Sequence, residues 1–549
     1  MFVREKRIRG YSYLYLVESV RENGRTRQRL IKNLGRKEAV LANGDLDRLA
    51  HSVGRFAERA LVLSALERGE TVGLACQRIG PPLLFERLWA KSGCAAVIAD
   101  LAAGRGFEFA LERAVFVAVL HRLMVSGSDR ACEKWMRDYR IEGAEALSLH
   151  HFYRAMAWLG EELPDADQAA PAPRCVKDLI EEELFTRRRD LFAELSVVFL
   201  DTTSLSFQGR GGETLGRRGY SKDHRPDLKQ MILGVVMDQD GRPLCTEMWP
   251  GNTADVTVLL PVIDRLRSRF AIGRVCVVAD RGMISTETIA GLEERGLEYI
   301  LGTRERSDKL VRTVVLKDPG AFAPLTIARS ARGDTELEAK TVLVGGLRYI
   351  VCRNLEEAQK DAAERQAIVT GLKKQLKRGD KALIGNSAYR RFLRTTDGRR
   401  FEIDPDKVEA EARFDGIYVL RTNTGLDPLQ AMLRYRELLK VEDIFRTAKS
   451  LLRTRPIYHQ SDAAIRGHVF CSFLALVLRK ALMDRCSQAG FQPEWQDVRL
   501  DLDRLQEVVV ARDGKRLIIR TPTTGVAGKL FRAIGIALPP NLREITAET

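Results

Sequence analysis

Three acidic residues that lie far apart in the sequence stand where their side chains could meet. Asp201 ends the apolar run VVFL, and Asp280 ends the apolar run VCVVA. At strand ends in α/β sheets, side chains leave the core and enter a cleft, so carboxylates at two such ends can meet across neighbouring strands. For either aspartate alone, the start of a turn or a helix cap is the better explanation.

A third carboxylate, Glu442, lies in a segment with the periodicity of a helix. Residues 431–450, AMLRYRELLKVEDIFRTAKS, contain no Gly or Pro. Spacings of three or four residues predict that one set of side chains shares a helical face: Tyr435, Leu438, Glu442, Phe445 or Arg446, and Lys449. This face is partly apolar, and a carboxylate there is costly unless it is paired or bound to a metal. The alternative is a solvated glutamate at the edge of the apolar face.

Alternating strand and helix patterns from 174 to 305 could position the two aspartates. VVFLDTTSLSF, QMILGVVMD and PLCTEMW have the pattern of strands, and a turn at 239–241 joins the last two. A helix near 254–270, the strand RVCVVAD, a helix near 285–295 and the strand LEYILGTR follow. Three meandering strands followed by a βαβ unit predict an α/β unit with a mixed sheet.

The segments around this unit have other patterns. Residues 1–44 predict a β-hairpin arm that turns at Asn23-Gly24. Residues 45–173 predict a helical region that ends in PDADQAAPAP. Residues 306–425 are irregular and strand-rich, with one basic helix near 356–378. Helical runs at about 427–452 and 461–485 precede a C-terminal region, 490–549, in which Asp513-Gly514 predicts another hairpin turn.

The composition is that of a basic globular protein. The chain has 549 residues, which predicts several structural units, and its formal net charge is +15. This basic excess favours a polyanionic partner. The nine cysteines form no CxxC pair, so zinc and redox motifs are absent from the sequence. No apolar run reaches the roughly 18–20 residues that span a bilayer, and the N-terminus has no apolar signal segment, which together predict a cytoplasmic protein.

The spacing of Tyr435, Glu442 and Lys449 resembles the Y-(2)-R-(3)-E-(6)-K signature of bacterial insertion-sequence transposases of the DDE class. Further similar segments span most of the chain: MFVREKRIRGYSYLYLVESVRENGRTRQ, VVFLDTT, GYSKDHRPDLKQMILGVVMD, WPGNTAD, VVADRGM, FDGIYVLRTNT and RPIYHQSDAAIRGH. One position departs from the signature, because Leu438 replaces the arginine that is thought to hold a phosphate of the DNA end in relatives. Of the nearby arginines 434, 436 and 446, only Arg446 lies close to the corresponding helical face.

The resemblance implies a ribonuclease-H-like catalytic core formed by residues 174–305 and 426–489, with residues 306–425 as a β-rich insertion. Asp201, Asp280 and Glu442 would be the catalytic carboxylates and would hold two Mg²⁺ ions, for which Mn²⁺ could substitute. Mg²⁺ prefers hard oxygen ligands, and two such ions activate the attacking oxygen and stabilise the leaving oxygen of a phosphodiester. Asp201 would bridge the ions, and the other two carboxylates would each complete one.

The implied activity is cleavage at the ends of the protein's own mobile element and transfer of those ends into target DNA. The implied partners are double-stranded DNA, as terminal inverted repeats and as target, and a second copy of the chain in a homodimer on DNA. The hairpin arm and residues 45–173 are candidates for recognising the element ends. The candidate DNA contacts are Tyr435, Arg446, Lys449, Lys222, Arg225, Lys229, Trp249 and Asn252. Solvated charges explain the basic loop residues equally well, and a turn after a strand explains Trp249 and Asn252.

Two other functions remain open. A nuclease of the same fold would have the same metal ligands but would not transfer strands. A catalytically silent DNA-binding repressor would need no acidic triad, so the intact triad argues against it. Terminal inverted repeats flanking the gene would argue against the simple nuclease. The expected location of the transposase is the bacterial cytoplasm, with nucleoid association when the protein is bound to DNA.

Overall fold

The computed structural model describes residues 2–22, 25–46, 48–49, 75–164, 172–188, 197–223, 225–270, 275–327, 335–377, 389, 391–396, 400–451, 454–455, 457–512 and 515–545. The chain divides into two compact units. One comprises Met1–Cys76, Glu507–Thr521 and Pro539–Thr549, and the other comprises Gln77–Gln506 and Pro522–Leu538. None of the described helices is long and apolar enough to cross a membrane.

The described strands are β1 (Phe2–Ile8), β2 (Tyr11–Glu22), β3 (Arg25–Arg36), β4 (Ala75–Arg78), β5 (Val197–Ser206), β6 (Gln230–Asp238), β7 (Pro243–Pro250), β8 (Cys276–Ala279), β9 (Glu298–Gly302), β10 (Ala323–Ile327), β11 (Thr335–Val344), β12 (Leu347–Arg353), β13 (Leu393–Thr396), β14 (Arg400–Ile403), β15 (Ile417–Thr422), β16 (Gln506–Arg512), β17 (Lys515–Arg520) and β18 (Leu542–Ile545).

The described α-helices are α1 (Lys37–Ala42), α2 (Gly80–Lys91), α3 (Cys94–Ala102), α4 (Leu111–Met124), α5 (Asp129–Trp135), α6 (Leu149–Leu159), α7 (Val176–Arg188), α8 (Leu259–Phe270), α9 (Thr286–Glu294), α10 (Lys309–Thr313), α11 (Leu355–Leu376), α12 (Pro405–Ala412), α13 (Pro428–Arg436), α14 (Leu439–Arg446), α15 (Asp462–Gln488), α16 (Trp495–Asp503) and α17 (Ala527–Ile534).

In the first unit, β1, β2 and β3 form an antiparallel sheet. Strands β2 and β3 pair up to Glu22 and Arg25, on either side of the predicted Asn23-Gly24 turn. The turn residues themselves lie outside the described residues, as do Asp513 and Gly514. Strands β16, β17 and β18 likewise pair antiparallel in sequence order. The two strand pairs predicted to flank hairpin turns are therefore present.

The second unit contains a mixed sheet with the order β10-β11-β12-β15-β9-β8-β5-β6-β7. Strands β5, β6 and β7 form an antiparallel meander, whereas β8 pairs parallel with β5 and β9 pairs parallel with β8. Helix α8 connects β7 to β8, and α9 connects β8 to β9. This order, β7-β6-β5-β8-β9 with two helical crossovers, is that of a ribonuclease-H-like core and confirms the predicted α/β fold class.

The segment between β9 and α13 adds strands to this sheet. Strand β15 pairs antiparallel with β9, and β12, β11 and β10 continue the sheet outward. The long helix α11 lies where the basic helix was predicted, and β13 and β14 form a separate two-stranded sheet. The domain boundaries drawn from the sequence stay a prediction.

Helices cover both faces of the sheet. Alternate residues of β5 point to opposite sides, so Val197 and Phe199 pack with α13, α14 and the start of α15, whereas Val198 and Leu200 pack with α8 and α9. A further helical core, formed mainly by α2–α7, surrounds α15. Helix α15 is buried on nearly all sides from Ile465 to Leu478, which explains its long apolar run.

The helical run predicted over about 427–452 consists of three consecutive helical segments. Helix α13 ends at Arg436, α14 begins at Leu439, and a π-helical stretch, Thr447–Leu451, follows. The amides of Leu438, Lys440 and Val441 donate to the carbonyls three residues earlier, so the backbone tightens between the two helices. Tyr435 therefore lies in α13 and Glu442 in α14.

Candidate active site

Asp201 and Asp280 project from neighbouring parallel strands toward the same face of the sheet. Leu200 of β5 pairs with Ala279 of β8, so each aspartate directly follows a paired position. Phe199 and Val278, two residues before the aspartates, both belong to the core cluster beneath α14. Because side chains alternate along a strand, both aspartates lie on the α14 side.

Helix α14 carries the third carboxylate over this face. Val441 and Phe445 are buried in the same core cluster and hold the helix against the sheet. Glu442 is exposed and makes no hydrogen bond or ion pair with any described residue. It is therefore accessible to a ligand in the cleft beside the two aspartates.

Asp201, Asp280 and Glu442 line one cleft of about 950 Å³. Two of the predicted DNA contacts, Lys222 and Lys449, line the same cleft. Its other lining residues are Thr202, Thr203, Tyr220, Asp255, Arg281, Gly282, Arg304, Glu305, Arg306, Ser307, Arg391 and Phe445. Three carboxylates from three separate elements thus face a space that is rimmed by cations.

The electrostatics of the cleft depend on burial and on like charges. Burial raises the pKa of Asp201 to about 6, against the lowering effect of the Lys222 ammonium. The carboxylates of Asp280 and Asp255 also raise this pKa. The ionised form of Asp201 is therefore disfavoured in the protein alone and would be favoured by a cation placed between the carboxylates.

Asp255 is a fourth carboxylate of the cleft that the sequence analysis missed. It accepts a hydrogen bond from Thr202 Oγ1 at 2.8 Å and forms an ion pair with Lys222 Nζ at 3.0 Å. Lys222 Nζ also donates to the carbonyl and the hydroxyl of Thr202, both at 2.8 Å. All three N–H groups of Lys222 thus have partners within the chain. The sequence did contain a signal for this residue, because Asp255 ends WPGNTAD, one of the segments that resemble the transposases.

Asp223 follows Lys222 in the loop between β5 and β6, and it connects this loop to the π-helical stretch after α14. Its Oδ1 lies 2.9 Å from Nζ of Lys449, and its other oxygen pairs with Arg455. Burial lowers the pKa of Lys449, against the effect of Asp223. Lys222 and Asp223 therefore link the strand that carries Asp201 to the π-helical turn that carries Lys449.

Tyr435 contacts Asp280. The phenolic O–H donates to Asp280 Oδ1 at 3.3 Å, and burial together with the charge of Asp280 raises the pKa of Tyr435 above its ordinary value. Tyr435, Asp280 and Glu442 also line a second cavity of about 320 Å³ that adjoins the cleft.

Two of the arginines near Leu438 lie in different places relative to the two cavities. Arg436 lines the second cavity with Tyr435, and buried Leu438 forms part of its wall. Arg446 lies outside the described linings of both cavities, and its exposed side chain pairs with Asp443 at 3.0 Å. A DNA contact by Arg446 stays a prediction.

The remaining predicted DNA contacts lie apart from the cleft. Trp249 is only 1% exposed and packs in the core between β7 and the helices α8 and α9, so a direct DNA contact by this side chain is excluded. Asn252, in the turn after β7, is exposed. Arg225 pairs with Asp227 at 2.8 Å, and Lys229 donates to the carbonyl of Arg210 at 3.1 Å. None of these four lines the cleft within the described part of the chain.

Asp129, His459 and His468 form a second cluster of potential metal ligands. Nδ1 of His468 lies 3.0 Å from an Arg122 N–H, and Nε2 lies 3.2 Å from the carbonyl of Thr454. Both ring nitrogens are thus occupied, and burial lowers the pKa of His468 to about 3, so the ring is neutral. The cationic Arg122 beside the cluster opposes a metal ion, and a buried structural network explains these residues better.

Comparison with known proteins identifies the family. Residues 193–478, slightly more than half of the chain, match the family model for the transposase DDE domain. Residues 3–67 match the model for the N-terminal domain of IS1634 family transposases. No curated protein matches the chain. The cryo-EM structure of the piggyBac transposase synaptic complex with hairpin DNA is 12% identical, with 77% of this chain and 79% of that chain covered and a TM-score of 0.37. The chain belongs to the DDE transposases of insertion sequences, enzymes that act on DNA by metal-dependent phosphoryl transfer.

Proposed function

We propose that this transposase cuts DNA at the ends of its own element and joins those ends to target DNA, with Asp201, Asp280 and Glu442 as the catalytic metal ligands. The observation that carries the proposal is that these carboxylates, from β5, the end of β8 and α14, line one cleft. The chain would belong to the branch with the Tyr-Arg-Glu-Lys signature, in which Leu438 is a departure.

The residues of the cleft fit a hard divalent cation, for which we propose Mg²⁺, with Mn²⁺ as a substitute. Carboxylate oxygens are the ligands that Mg²⁺ prefers. Burial, and to a smaller extent the carboxylates of Asp280 and Asp255, raise the pKa of Asp201, and a bound cation would offset both effects. When bound, two such ions would activate the attacking oxygen and stabilise the leaving oxyanion.

The other polar residues of the cleft would orient the carboxylates and the DNA. Tyr435 holds one oxygen of Asp280 through its hydroxyl. Lys222 and Asp255 fix Thr202, whose amide donates to Asp201 Oδ1 at 2.7 Å. Lys449 and Arg455 share the single carboxylate of Asp223, which leaves positive charge for a DNA phosphate. We therefore propose that Lys449, in the π-helical stretch after α14, contacts the DNA in the cleft.

The proposal extends to assembly and DNA recognition. A homodimer would bind the terminal inverted repeats, and residues 1–44 and 45–173 would recognise them. The active complex would be bound to the nucleoid in the bacterial cytoplasm.

Strand transfer distinguishes the transposase from the simple nuclease. The purified protein would be incubated with Mg²⁺ or Mn²⁺, a fragment that carries both flanks of its own gene, and a supercoiled target plasmid. We expect 3′-hydroxyl ends at the element boundary and covalent joining of these ends to the plasmid. Cleavage without joined products would favour the nuclease, and binding without cleavage would favour the repressor.

A further inference from the structure

A strongly basic cavity lies in the second unit, apart from the active-site cleft. It has a volume of about 350 Å³ and lies between the ends of α2 and α7, the turn between β6 and β7, and α15. Its lining includes six cationic side chains and one carboxylate, Asp484. The six cations, which define the basic cavity, are Lys91, Arg187, Arg188, Arg242, Lys480 and Arg485.

The described carboxylates neutralise only part of this charge. Asp484 is shared by Lys480 at 2.5 Å and Arg242 at 3.6 Å. Arg242 also pairs with Asp240, and Arg187 pairs with the exposed Asp100 at 3.3 Å. Lys91 donates to the carbonyl of Ile534 and pairs with no described carboxylate. The cavity therefore keeps a positive excess.

Burial lowers the pKa of Arg188 and the charge of Arg242 lowers it further, against the raising effects of Cys94 and of the Asp238 carboxylate. A phosphate in the cavity would offset both the burial of Arg188 and the charge of Arg242. No described carboxylate lies within ion-pair distance of Arg188 or of the exposed Arg485.

The basic cavity cannot contact the phosphodiester that is held in the cleft. Asp201 of β5 lies opposite Val235 of β6, whereas Asp238, at the β6–β7 turn, lies opposite Val198. The cavity thus lies at the end of the strands opposite to the cleft, about 10 Å or more away along β6. Lys440 and Lys480 both approach the turn between β6 and β7. A Cβ added to Gly241 in this turn would lie 3.2 Å from Cδ of Lys440 and 3.8 Å from Cε of Lys480. Lys440 precedes Glu442 on α14, so positive charge extends from this helix toward the cavity.

We propose that the basic cavity binds the phosphate backbone of duplex DNA at a point several base pairs from the cleaved bond, an inference that rests on the transposase function proposed above. A single inorganic phosphate carries about two negative charges at one point. Duplex DNA carries one negative charge per roughly 1.7 Å of its axis and so brings several phosphates to the rim. Such contacts position the duplex and are independent of sequence.

The test measures binding of a random-sequence duplex in EDTA, so that neither recognition of element ends nor cleavage contributes. Affinity would be followed from about 50 to 200 mM salt by fluorescence anisotropy. The variant would combine Lys91→Gln with Arg485→Gln, two exposed positions. The matched control would combine Lys373→Gln with Lys374→Gln on α11, which removes the same charge from exposed positions outside the cavity. Thermal unfolding would verify that the variants are folded.

Each lost phosphate contact makes the slope of log affinity against log salt less negative by about 0.9. We expect the Lys91 and Arg485 variant to lose about 1–2 in this slope and to bind about tenfold more weakly at 100 mM salt. Exchange of the two cations, Lys91→Arg with Arg485→Lys, should retain binding. If the Gln variant kept the slope of the wild type, the proposal would be overturned. If the wild type did not cleave at the element ends, the proposed function would be contradicted, whereas the result of this binding test would still stand.

Discussion

Nζ of Lys449 lies 2.9 Å from Oδ1 of Asp223, and each side chain is only 13% exposed. The lysine that matches the transposase signature therefore forms an ion pair within the protein, in a carboxylate-centred group that also includes Arg455. Two cations around one carboxylate leave one positive charge in excess. A DNA phosphate that approaches this group would compete with Asp223 for both cations.

The first prediction concerns this competition. Lys449→Gln should weaken DNA binding and make the salt slope less negative by about 1, because one phosphate contact is lost. Asp223→Asn should have the opposite effect on the slope, because it frees Lys449 and Arg455 for phosphate. Salt titrations of both variants measure this. An unchanged slope in Lys449→Gln would remove this residue from the DNA interface.

The second prediction concerns Tyr435. Tyr435→Phe removes the 3.3 Å hydrogen bond to Asp280 and keeps the ring in place. We expect the half-saturating Mn²⁺ concentration for cleavage to rise about three- to tenfold, because Asp280 becomes less well oriented. The free energy of unfolding should change by less than about 1 kcal/mol.

Tyr418→Phe is the control for this variant, because Tyr418 lines the neighbouring cavity and pairs with Cys352 rather than with a carboxylate. Equal metal dependence in the two variants would mean that the contact with Asp280 has no role in metal binding.

The third prediction concerns the stability of the metal-free protein at different pH values. The unfolded chain releases the proton of Asp201 near pH 3.8, whereas the folded protein keeps it up to about pH 6. The folded state therefore binds more protons in this window and loses stability as the pH rises through it, by about 1–3 kcal/mol.

Asp201→Asn should remove this loss. In EDTA, urea unfolding should show that the variant is more stable than the wild type at pH 7.5 and that the difference disappears near pH 4. Addition of Mg²⁺ should stabilise the wild type selectively. A variant less stable than the wild type at pH 7.5 would contradict the assigned cause.

The fourth prediction concerns Asp255. Asp255→Asn removes the charge that holds Lys222 and weakens the hydrogen bond with Thr202. We expect cleavage to fall about 10–100-fold, as for residues that orient metal ligands, while duplex binding is retained.

Asp264→Asn is the matched control. It removes a carboxylate that pairs with Arg295 outside the described lining of the cleft, and it should leave cleavage unchanged. The two variants would be compared in metal titrations of the cleavage rate. Equal rates in both would show that Asp255 is dispensable.

Local patterns predicted the central part of the fold. The apolar runs before Asp201 and Asp280 are strands, and the meander followed by two crossovers is the observed order of the core. The alternation of side chains along β5 and β8 then places both aspartates on one face. These features depend on residues close in sequence, which is why periodicity predicts them.

Features that depend on tertiary contacts were not predictable in the same way. The break at Glu437 and Leu438 contains no Gly or Pro, and residues of both α13 and α14 pack in the core cluster on either side of it. Trp249 resembled a residue of a turn, but the sheet and its covering helices bury it. The role of Asp255 depends on Lys222 and Thr202, which are distant in sequence.

The most direct test of the three-carboxylate site compares two neighbouring residues of α14. Glu442 faces the cleft, whereas Asp443 lies outside its described lining and pairs with Arg446 at the surface. Metal-dependent cleavage at the element boundary would be measured for the wild type, Glu442→Gln and Asp443→Asn. The account predicts that Glu442→Gln loses at least about a thousandfold in rate, since a metal ligand is removed, and that Asp443→Asn cleaves like the wild type. Cleavage that persists in Glu442→Gln, or is lost in Asp443→Asn, would contradict it.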